Sequence, residues 1–86
     1  MSYYVYIVEC SDKTLYTGIT TDLKRRVVEH NTSQKGAKYT KIRRPVSLVY
    51  KELKEDRSSA SKREYFIKKL SRKEKLILIK ENQQRE

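Results

Sequence analysis

The feature that most constrains the fold is an apolar run near the N-terminus, Tyr3 to Cys10. Most of its residues are β-branched or aromatic, and it lacks glycine and proline, which favours a strand. The run is nearly continuous rather than alternating, so both faces are expected to be covered, as in a central strand. A turn cluster at 11–13 and a second strand, Thr14 to Ile19, predict an antiparallel hairpin. Gly18 within that strand indicates a close backbone approach or a bulge.

The rest of the chain predicts helices around a third strand. Residues 20–22 supply N-cap candidates for a first helix that ends near Asn31. A polar loop follows, then a strand over 45–53, a second helix over about 59–70, and a third helix after Ser71. The order β-β-α-β-α-α predicts an α/β (α+β) fold: a small three-stranded antiparallel sheet flanked by helices.

Helical periodicity predicts which side chains of each helix face the core. On the first helix, Leu23 and Val27 form the apolar stripe, and Arg26 and His30 share its border. The inward stripe of the second helix is predicted to contain Ala60, Phe66, Ile67 and Leu70, with Glu64 at its edge. For the third helix the apolar side is Leu76, Ile77 and Ile79. Residues 1–80 are predicted to form a single domain, and 81–86 a polar C-terminal tail that frays.

Composition limits the chain to a small, strongly basic domain. Its 86 residues exclude a large multi-substrate enzyme, and the seven tyrosines are expected to help fill the core. Lysine and arginine number 21 against 11 acids, a net charge of +10. Such a field attracts polyanions, so nucleic acid is the leading partner, ahead of an anionic membrane surface or an acidic protein.

Cysteine content and the N-terminal residues bear on the compartment. The single Cys10 forms neither an intrachain disulfide nor a structural zinc site, and it is interpreted as a half-buried strand thiol. Neither a signal or transit peptide nor a run of ~20 apolar residues is visible. We therefore expect a cytoplasmic, soluble protein without membrane association.

Five polar residues recur next to the apolar faces: Tyr6, Tyr16, Arg26, His30 and Glu64. A nuclease needs such a set, because the attacking water must lose a proton and the scissile phosphate needs cationic stabilisation. A carboxylate suits magnesium, which keeps most of its own waters and needs one or two protein ligands.

Each of these residues also has an ordinary structural interpretation. Tyr6 and Tyr16 fit strand core positions with satisfied hydroxyl groups, and Arg26 fits an ordinary surface arginine. Glu64 fits a helix ion pair with Lys68 at i, i+4. Periodicity and charge alone therefore reach a basic α/β domain that associates with nucleic acid.

Short motifs extend this interpretation through a resemblance that covers about residues 3–80. The order of motifs resembles the GIY-YIG nuclease domain, and in particular its small stand-alone bacterial members: Tyr4-Val5-Tyr6, Tyr16-Thr17-Gly18, Thr20 to Val27, Glu29-His30-Asn31, Gly36 to Thr40, Asp56-Arg57-Ser58, Lys62-Arg63-Glu64 and Ile67 to Leu70. The motif that names the family is not matched exactly, because Tyr4 replaces glycine and Thr17 replaces isoleucine.

The resemblance implies an endonuclease, a hydrolase that cuts DNA with one divalent ion, Mg²⁺ or Mn²⁺. By position, Tyr6 and Tyr16 line the site and one of them helps to activate water. Arg26 holds the phosphate, and His30 assists proton transfer or orients the base. Glu64 is the sole protein metal ligand, while Gly18 has a structural role in close packing beside Tyr16.

Two further observations bear on substrate and activity. The acid-free run Lys35 to Arg44 and the second helix supply the expected nucleic-acid-binding residues Lys35, Lys38, Lys41, Arg43, Arg44 and Arg63. Many active members of the family carry an asparagine after the glutamate, whereas Asn82, in the predicted tail, is the only one here. Three hypotheses follow. The first is a DNA nuclease with weak sequence preference (RNA being a less favoured substrate), aided by a targeting partner. The second is a catalytically weak or inactive nucleic-acid-binding module of the same fold, and the third is a basic domain that docks on an acidic protein.

Overall fold

A computed structural model describes residues 2–85, apart from the side chains of residues 84 and 85. It contains three strands and four helices in the order β-β-α-α-β-α-α. Their bounds are β1 Tyr3–Glu9, β2 Leu15–Thr20, α1 Leu23–Thr32, α2 Lys38–Lys41, β3 Ser47–Lys54, α3 Arg57–Lys69 and α4 Arg72–Arg85.

The strands form one antiparallel sheet in the order β2-β1-β3, which confirms the predicted fold class and the central position of the first strand. Tyr6 lies opposite Gly18 in the β1–β2 register, and Val8 lies opposite Tyr16. Alternate residues of β1 point to opposite faces. The central strand thus divides the protein into two small cores, which share a single sheet.

One face of the sheet packs against α3 and α4. The buried residues of this core come from the sheet and from both helices, and they are Val5, Ile7, Tyr50, Ala60, Ile67 and Ile79. The opposite face packs against α1, where Tyr6, Val8, Cys10 and Val46 are buried and Leu23 and Val27 cover them. The Cys10 thiol is buried rather than half-buried.

Side-chain caps explain where three helices begin. Asp22 accepts a hydrogen bond from the Arg25 amide at the start of α1, and Asp56 accepts one from Ser59 at the start of α3. Before α4, the backbone N–H of Ser71 donates to the Glu74 carboxylate, and the Glu74 amide donates to the Ser71 hydroxyl. This reciprocal pair is a capping box, which satisfies two otherwise unpaired amides.

The structure differs from the sequence interpretation in three places. The stretch predicted as a loop contains the one-turn helix α2. Phe66 was expected in the buried stripe of α3 but is 53% exposed, and the predicted apolar side of α4 is buried only at Ile79, since Leu76 and Ile77 are largely exposed. Helix α4 continues without a break through residues 81–85, which the sequence assigned to a tail; residue 86 lies outside the described residues. Within residues 2–85, no helix is long and apolar enough to cross a membrane.

Candidate active site

Tyr6 occupies a space that only glycine leaves open. A Cβ built at Gly18 would lie 2.6 Å from the Tyr6 hydroxyl oxygen and 2.8 Å from its Cζ, well inside van der Waals contact. The phenol ring therefore passes over the backbone of β2, and its hydroxyl lies towards the outer edge of the sheet. Gly18 thus serves close packing, as the sequence predicted, although its contact is with Tyr6.

A buried hydrogen-bond chain begins at the Tyr6 hydroxyl. Tyr6 Oη lies 2.7 Å from Nε2 of His30, and Nδ1 of His30 lies 2.8 Å from the Thr40 hydroxyl. Thr40 donates its single hydroxyl hydrogen to the Ala37 carbonyl at 2.9 Å, so its oxygen accepts from Nδ1–H of His30. In the neutral ring, Nε2 is then the acceptor of the Tyr6 hydrogen. The network assigns one tautomer to His30.

Burial controls the protonation of His30 and Tyr6. His30 has no exposed surface, and burial lowers its pKa from 6.5 to about 4, with the cation of Arg26 acting in the same direction. Burial also raises the pKa of Tyr6 to about 12, although the neighbouring Arg26 guanidinium opposes that shift. At neutral pH the pair is therefore an uncharged phenol that donates to an uncharged imidazole. The sequence placed His30 at the border of the buried face, whereas the structure buries it completely.

Arg26 lies beside Tyr6 and is held from the other side. Its Nη1 donates to the Glu29 carboxylate at 3.0 Å and to the Lys35 carbonyl at 2.8 Å. The side chain is 24% exposed, so part of the guanidinium is accessible to a ligand. The guanidinium is thus oriented by the protein while part of its surface faces solvent, which suits phosphate binding.

Glu64 reaches the same place from α3. This helix packs against both β1 and β2, and the Glu64 carboxylate is close enough to the Tyr6 hydroxyl to raise its pKa. Glu64 also forms the i, i+4 ion pair with Lys68, at 3.3 Å, and its side chain is 22% exposed. Glu64 therefore both forms the ordinary helix ion pair with Lys68 and lies close to the candidate site.

Tyr16 completes the group by packing against the ring of His30. The two rings meet edge to face with centroids 5.3 Å apart, and the ring of Tyr39 stacks on Tyr16 at 5.9 Å. The Arg43 guanidinium lies 4.0 Å from the centroid of the Tyr39 ring. The other four predicted site residues thus lie around the Tyr6 hydroxyl, which donates a hydrogen bond to His30 and receives electrostatic contributions from Arg26, Tyr16 and Glu64.

The residues predicted to bind nucleic acid divide into two groups. The three arginines make internal contacts: Arg43 pairs with Asp12, Arg63 pairs with Glu52, and Arg44 donates to backbone carbonyls at the end of α1. Lys35, Lys38 and Lys41 form no ion pair among the described residues, and the first two are exposed. The lysines are therefore the better placed of the two groups to contact phosphates.

The candidate site could hold a divalent cation only if one protein carboxylate is enough to bind it. Within residues 2–85 there is no group of three or more metal-ligating side chains. Glu64 offers one partly exposed carboxylate, which suits an ion such as Mg²⁺ that keeps most of its waters and takes further oxygens from a phosphate. Asn82 does not join the group, because it lines a cavity of about 160 Å³ with Tyr50, Glu52 and Arg63. Glu64 is thus the residue that could hold a single ion.

Sequence reasoning missed Thr40, Tyr39 and Glu29, which position His30, Tyr16 and Arg26 respectively. Glu29 carried a local signal, since it lies one helical turn after Arg26. Thr40 and Tyr39 lie in the motif Gly36 to Thr40, but their contacts were not predictable because their partners are distant in sequence.

Comparison with known proteins identifies the family of this chain. The family described as the GIY-YIG catalytic domain matches residues 2–77. A UPF0213 protein of Desulfotalea psychrophila is 62% identical over 79 residues, which cover 92% of this chain and 72% of that protein. A UPF0213 protein of Syntrophus aciditrophicus is 60% identical over 82 residues, covering 95% and 94% of the two chains.

Solved structures give the same result. The solution NMR structure of a UPF0213 protein from Bacillus halodurans has a TM-score of 0.60 and 46% identity, covering 93% of this chain and 84% of that one. A protein from E. faecalis, also solved by NMR, has a TM-score of 0.61 and 42% identity, covering 91% and 83%. By sequence and structure, this chain belongs to the GIY-YIG catalytic domain family, and its close relatives are small bacterial UPF0213 proteins.

Proposed function

We propose that this chain is a divalent-metal-dependent nuclease that hydrolyses phosphodiester bonds in DNA with weak sequence preference. The observation that supports this most directly is the setting of the Tyr6 hydroxyl. It is bonded to a neutral imidazole acceptor and lies beside both a guanidinium and a carboxylate. Water activation, phosphate binding and metal binding each have one residue there.

The scissile phosphate binds at Arg26. Glu29 and the Lys35 carbonyl hold the guanidinium in place, and its partly exposed surface meets the phosphate there. Charge on the phosphoryl oxygens increases as the water attacks, so the guanidinium stabilises the transition state more than the ground state. Lys35, Lys38 and Lys41 hold the adjoining backbone phosphates and add no sequence selectivity.

The attacking water loses its proton along the buried chain. Tyr6 accepts that proton as its own hydrogen moves to Nε2 of His30, so no free phenolate is required at a pKa of about 12. Thr40 keeps Nδ1 protonated and so leaves Nε2 open as the acceptor. A bound phosphate anion favours the imidazolium that forms, because it offsets the cations that lower the pKa of His30. Tyr16 packs on the ring of His30 and closes the site on its exposed side.

Mg²⁺ or Mn²⁺ would be held by Glu64, where such an ion supplies Lewis-acid stabilisation of charge on the phosphate oxygens. A carboxylate near bound phosphates weakens nucleic-acid binding by charge repulsion. A cation bound to that carboxylate would offset the repulsion. We propose DNA rather than RNA as the substrate, a targeting protein as the source of site selection, and the cytoplasm as the location. The resemblance to active family members supports the choice of DNA.

A cleavage assay tests this function. Branched, nicked and linear DNA are incubated with Mg²⁺ or Mn²⁺ and either wild type, Glu64→Ala or Glu64→Gln. Both variants should lose cleavage while binding DNA as well as wild type or slightly better, since one negative charge is removed. Glu55→Gln is the matched control, because it removes an exposed acid outside the site and should cleave normally. Equal residual cleavage by wild type and Glu64→Ala would identify a contaminant and favour the binding-module hypothesis.

A further inference from the structure

Helix α3 carries two aromatic rings on its outer surface. Tyr65 is 63% exposed and Phe66 is 53% exposed, whereas Ala60 and Ile67 on the same helix are completely buried. The buried pair occupies the helix face that meets the sheet, and the two aromatic residues lie around the helix from it. Neither ring is therefore explained by packing within the domain.

Each ring already lies against a cation. The Lys69 ammonium is 4.3 Å from the centroid of the Tyr65 ring, and the Arg63 guanidinium is 5.2 Å from that of Phe66. Helix α3 contains five basic residues and a single acid. Exposed aromatic faces among cations suit a ligand that carries both flat rings and negative charge.

We infer that the outer surface of α3 binds single-stranded nucleic acid, with unpaired bases stacking on Tyr65 and Phe66 and phosphates contacting Lys62 and Lys69. Base faces in a duplex are covered by their neighbours, so only unpaired bases can use these rings. The inference rests on nucleic acid being the ligand of the proposed function. It adds a second surface, next to Glu64 along α3, that favours flaps, bubbles or single-stranded ends.

Two other occupants fit the surface less well. A second copy of the chain would bring together two domains of net charge +10, which repel one another. An anionic membrane requires a continuous apolar helix face that sinks into the lipid, and here two rings are flanked by Lys62 and Lys69. Single-stranded nucleic acid satisfies both the rings and the charges.

The test measures binding of a labelled single-stranded oligonucleotide and of its duplex, by fluorescence anisotropy in EDTA at several salt concentrations. Tyr65→Ala and Phe66→Ala should each weaken single-strand binding by about tenfold, as expected for loss of one stacked base. The salt dependence and the duplex affinity should not change, since no charge is removed. Tyr65→Phe should retain wild-type affinity, and Ile77→Ala, which removes an exposed aliphatic side chain from α4, is the matched control.

Unchanged single-strand affinity in both alanine variants would overturn the inference, as would an equal loss for the duplex. So would binding to phosphatidylserine vesicles, or a dimer in solution, that Tyr65→Ala abolishes. Because the binding assay contains no metal, it is independent of cleavage. If wild type cleaves DNA and both alanine variants bind single strands normally, the α3 surface is refuted but the nuclease function is not. If the alanine variants lose single-strand binding but wild type never cleaves, the nuclease function is refuted but the α3 surface is not.

Discussion

The Thr40 hydroxyl lies 2.8 Å from Nδ1 of His30, and both side chains are completely buried. Thr40 belongs to the one-turn helix α2, and His30 to the last turn of α1. Since the threonine donates its own hydrogen to the Ala37 carbonyl, the contact fixes the hydrogen of the imidazole on Nδ1. Thr40, ten positions downstream of His30, thus leaves Nε2 without a hydrogen, so that it can accept from Tyr6.

Replacing Thr40 should therefore affect both stability and proton transfer. Thr40→Val preserves the shape but leaves Nδ1–H without an acceptor in a buried place, which should cost about 1–3 kcal/mol in the free energy of unfolding. Nitrogen NMR of the imidazole should show a mixture of tautomers, and cleavage should slow. Thr40→Ser keeps the hydroxyl and should retain both the tautomer and the rate. Equal spectra for the two variants would contradict this assignment.

Stability should fall as the pH drops from about 6.5 towards 4. The pKa of His30 is lowered from 6.5 to about 4 in the folded protein, so in that interval the unfolded chain binds more protons. The loss should be on the order of 3 kcal/mol in the free energy of unfolding, measured by urea titration at a series of pH values. His30→Gln should be less stable overall yet lack this slope. A wild-type curve that is flat between pH 6.5 and 5 would be inconsistent with a buried neutral imidazole.

Adding one methyl group at Gly18 should displace the ring of Tyr6. Gly18→Ala places a Cβ 2.6 Å from the hydroxyl oxygen, so the ring or the strand must move, at a cost of about 1–3 kcal/mol. The Tyr6–His30 hydrogen bond should break, which NMR of the imidazole would detect, and cleavage should fall. Ser47→Ala at the exposed end of β3 is the control and should change stability by less than about 0.5 kcal/mol. Wild-type activity in Gly18→Ala would argue that the position of Tyr6 is unimportant.

Lysines and arginines of the segment after α1 should behave differently on substitution. Lys38 is exposed, so Lys38→Ala should leave stability unchanged and lower the log–log salt slope of DNA binding by about one unit. Arg44 donates to the carbonyls of Glu29, His30 and Ser33, so Arg44→Ala should reduce stability by about 1–3 kcal/mol. Urea unfolding and salt-dependent anisotropy separate the two effects. An unaltered salt slope for Lys38→Ala would remove it from the binding surface.

Thr17→Val should stabilise the protein. The Thr17 hydroxyl is buried and has no hydrogen-bond partner in the part of the chain that the structure describes. Valine has nearly the same shape without a polar group to bury, so the free energy of unfolding should rise by roughly 1 kcal/mol. Thr14→Val is the contrasting variant: its hydroxyl bonds to Asp12 in an exposed turn, and it should not stabilise. A destabilised Thr17→Val would mean that the hydroxyl has an ordered water as its partner.

Local signals predicted much of this fold. The apolar run of β1, the glycine of β2 and the N-cap of α1 within residues 20–22 depend on neighbouring residues, and the structure has each of them. Helix α2 was missed, because one turn has no periodicity of its own. It is anchored instead by Thr40 at His30.

Tertiary contacts account for the other differences. Phe66 is adjacent to the buried Ile67 in the sequence, but its side chain is exposed. Helical periodicity does not show which side of an apolar stripe the sheet will cover. The roles of Arg43 and Arg63 were equally hidden, since their carboxylate partners, Asp12 and Glu52, are far away in the chain. Around Tyr6, the family resemblance predicted the site residues, whereas the hydrogen bonds that link Tyr6, His30 and Thr40 are visible only in the structure.

Helix α3 docks against the hairpin that contains Tyr6 and Tyr16, although it follows β3 in the chain. During synthesis, every other member of the candidate site therefore leaves the ribosome before Glu64 does. A nascent chain that ends before residue 57 contains Arg26 and the Tyr6–His30 pair but lacks Glu64, the proposed cation ligand. The proposed cutting activity would therefore require α3, and assays of ribosome-bound chains of increasing length should show an abrupt onset after α3 emerges.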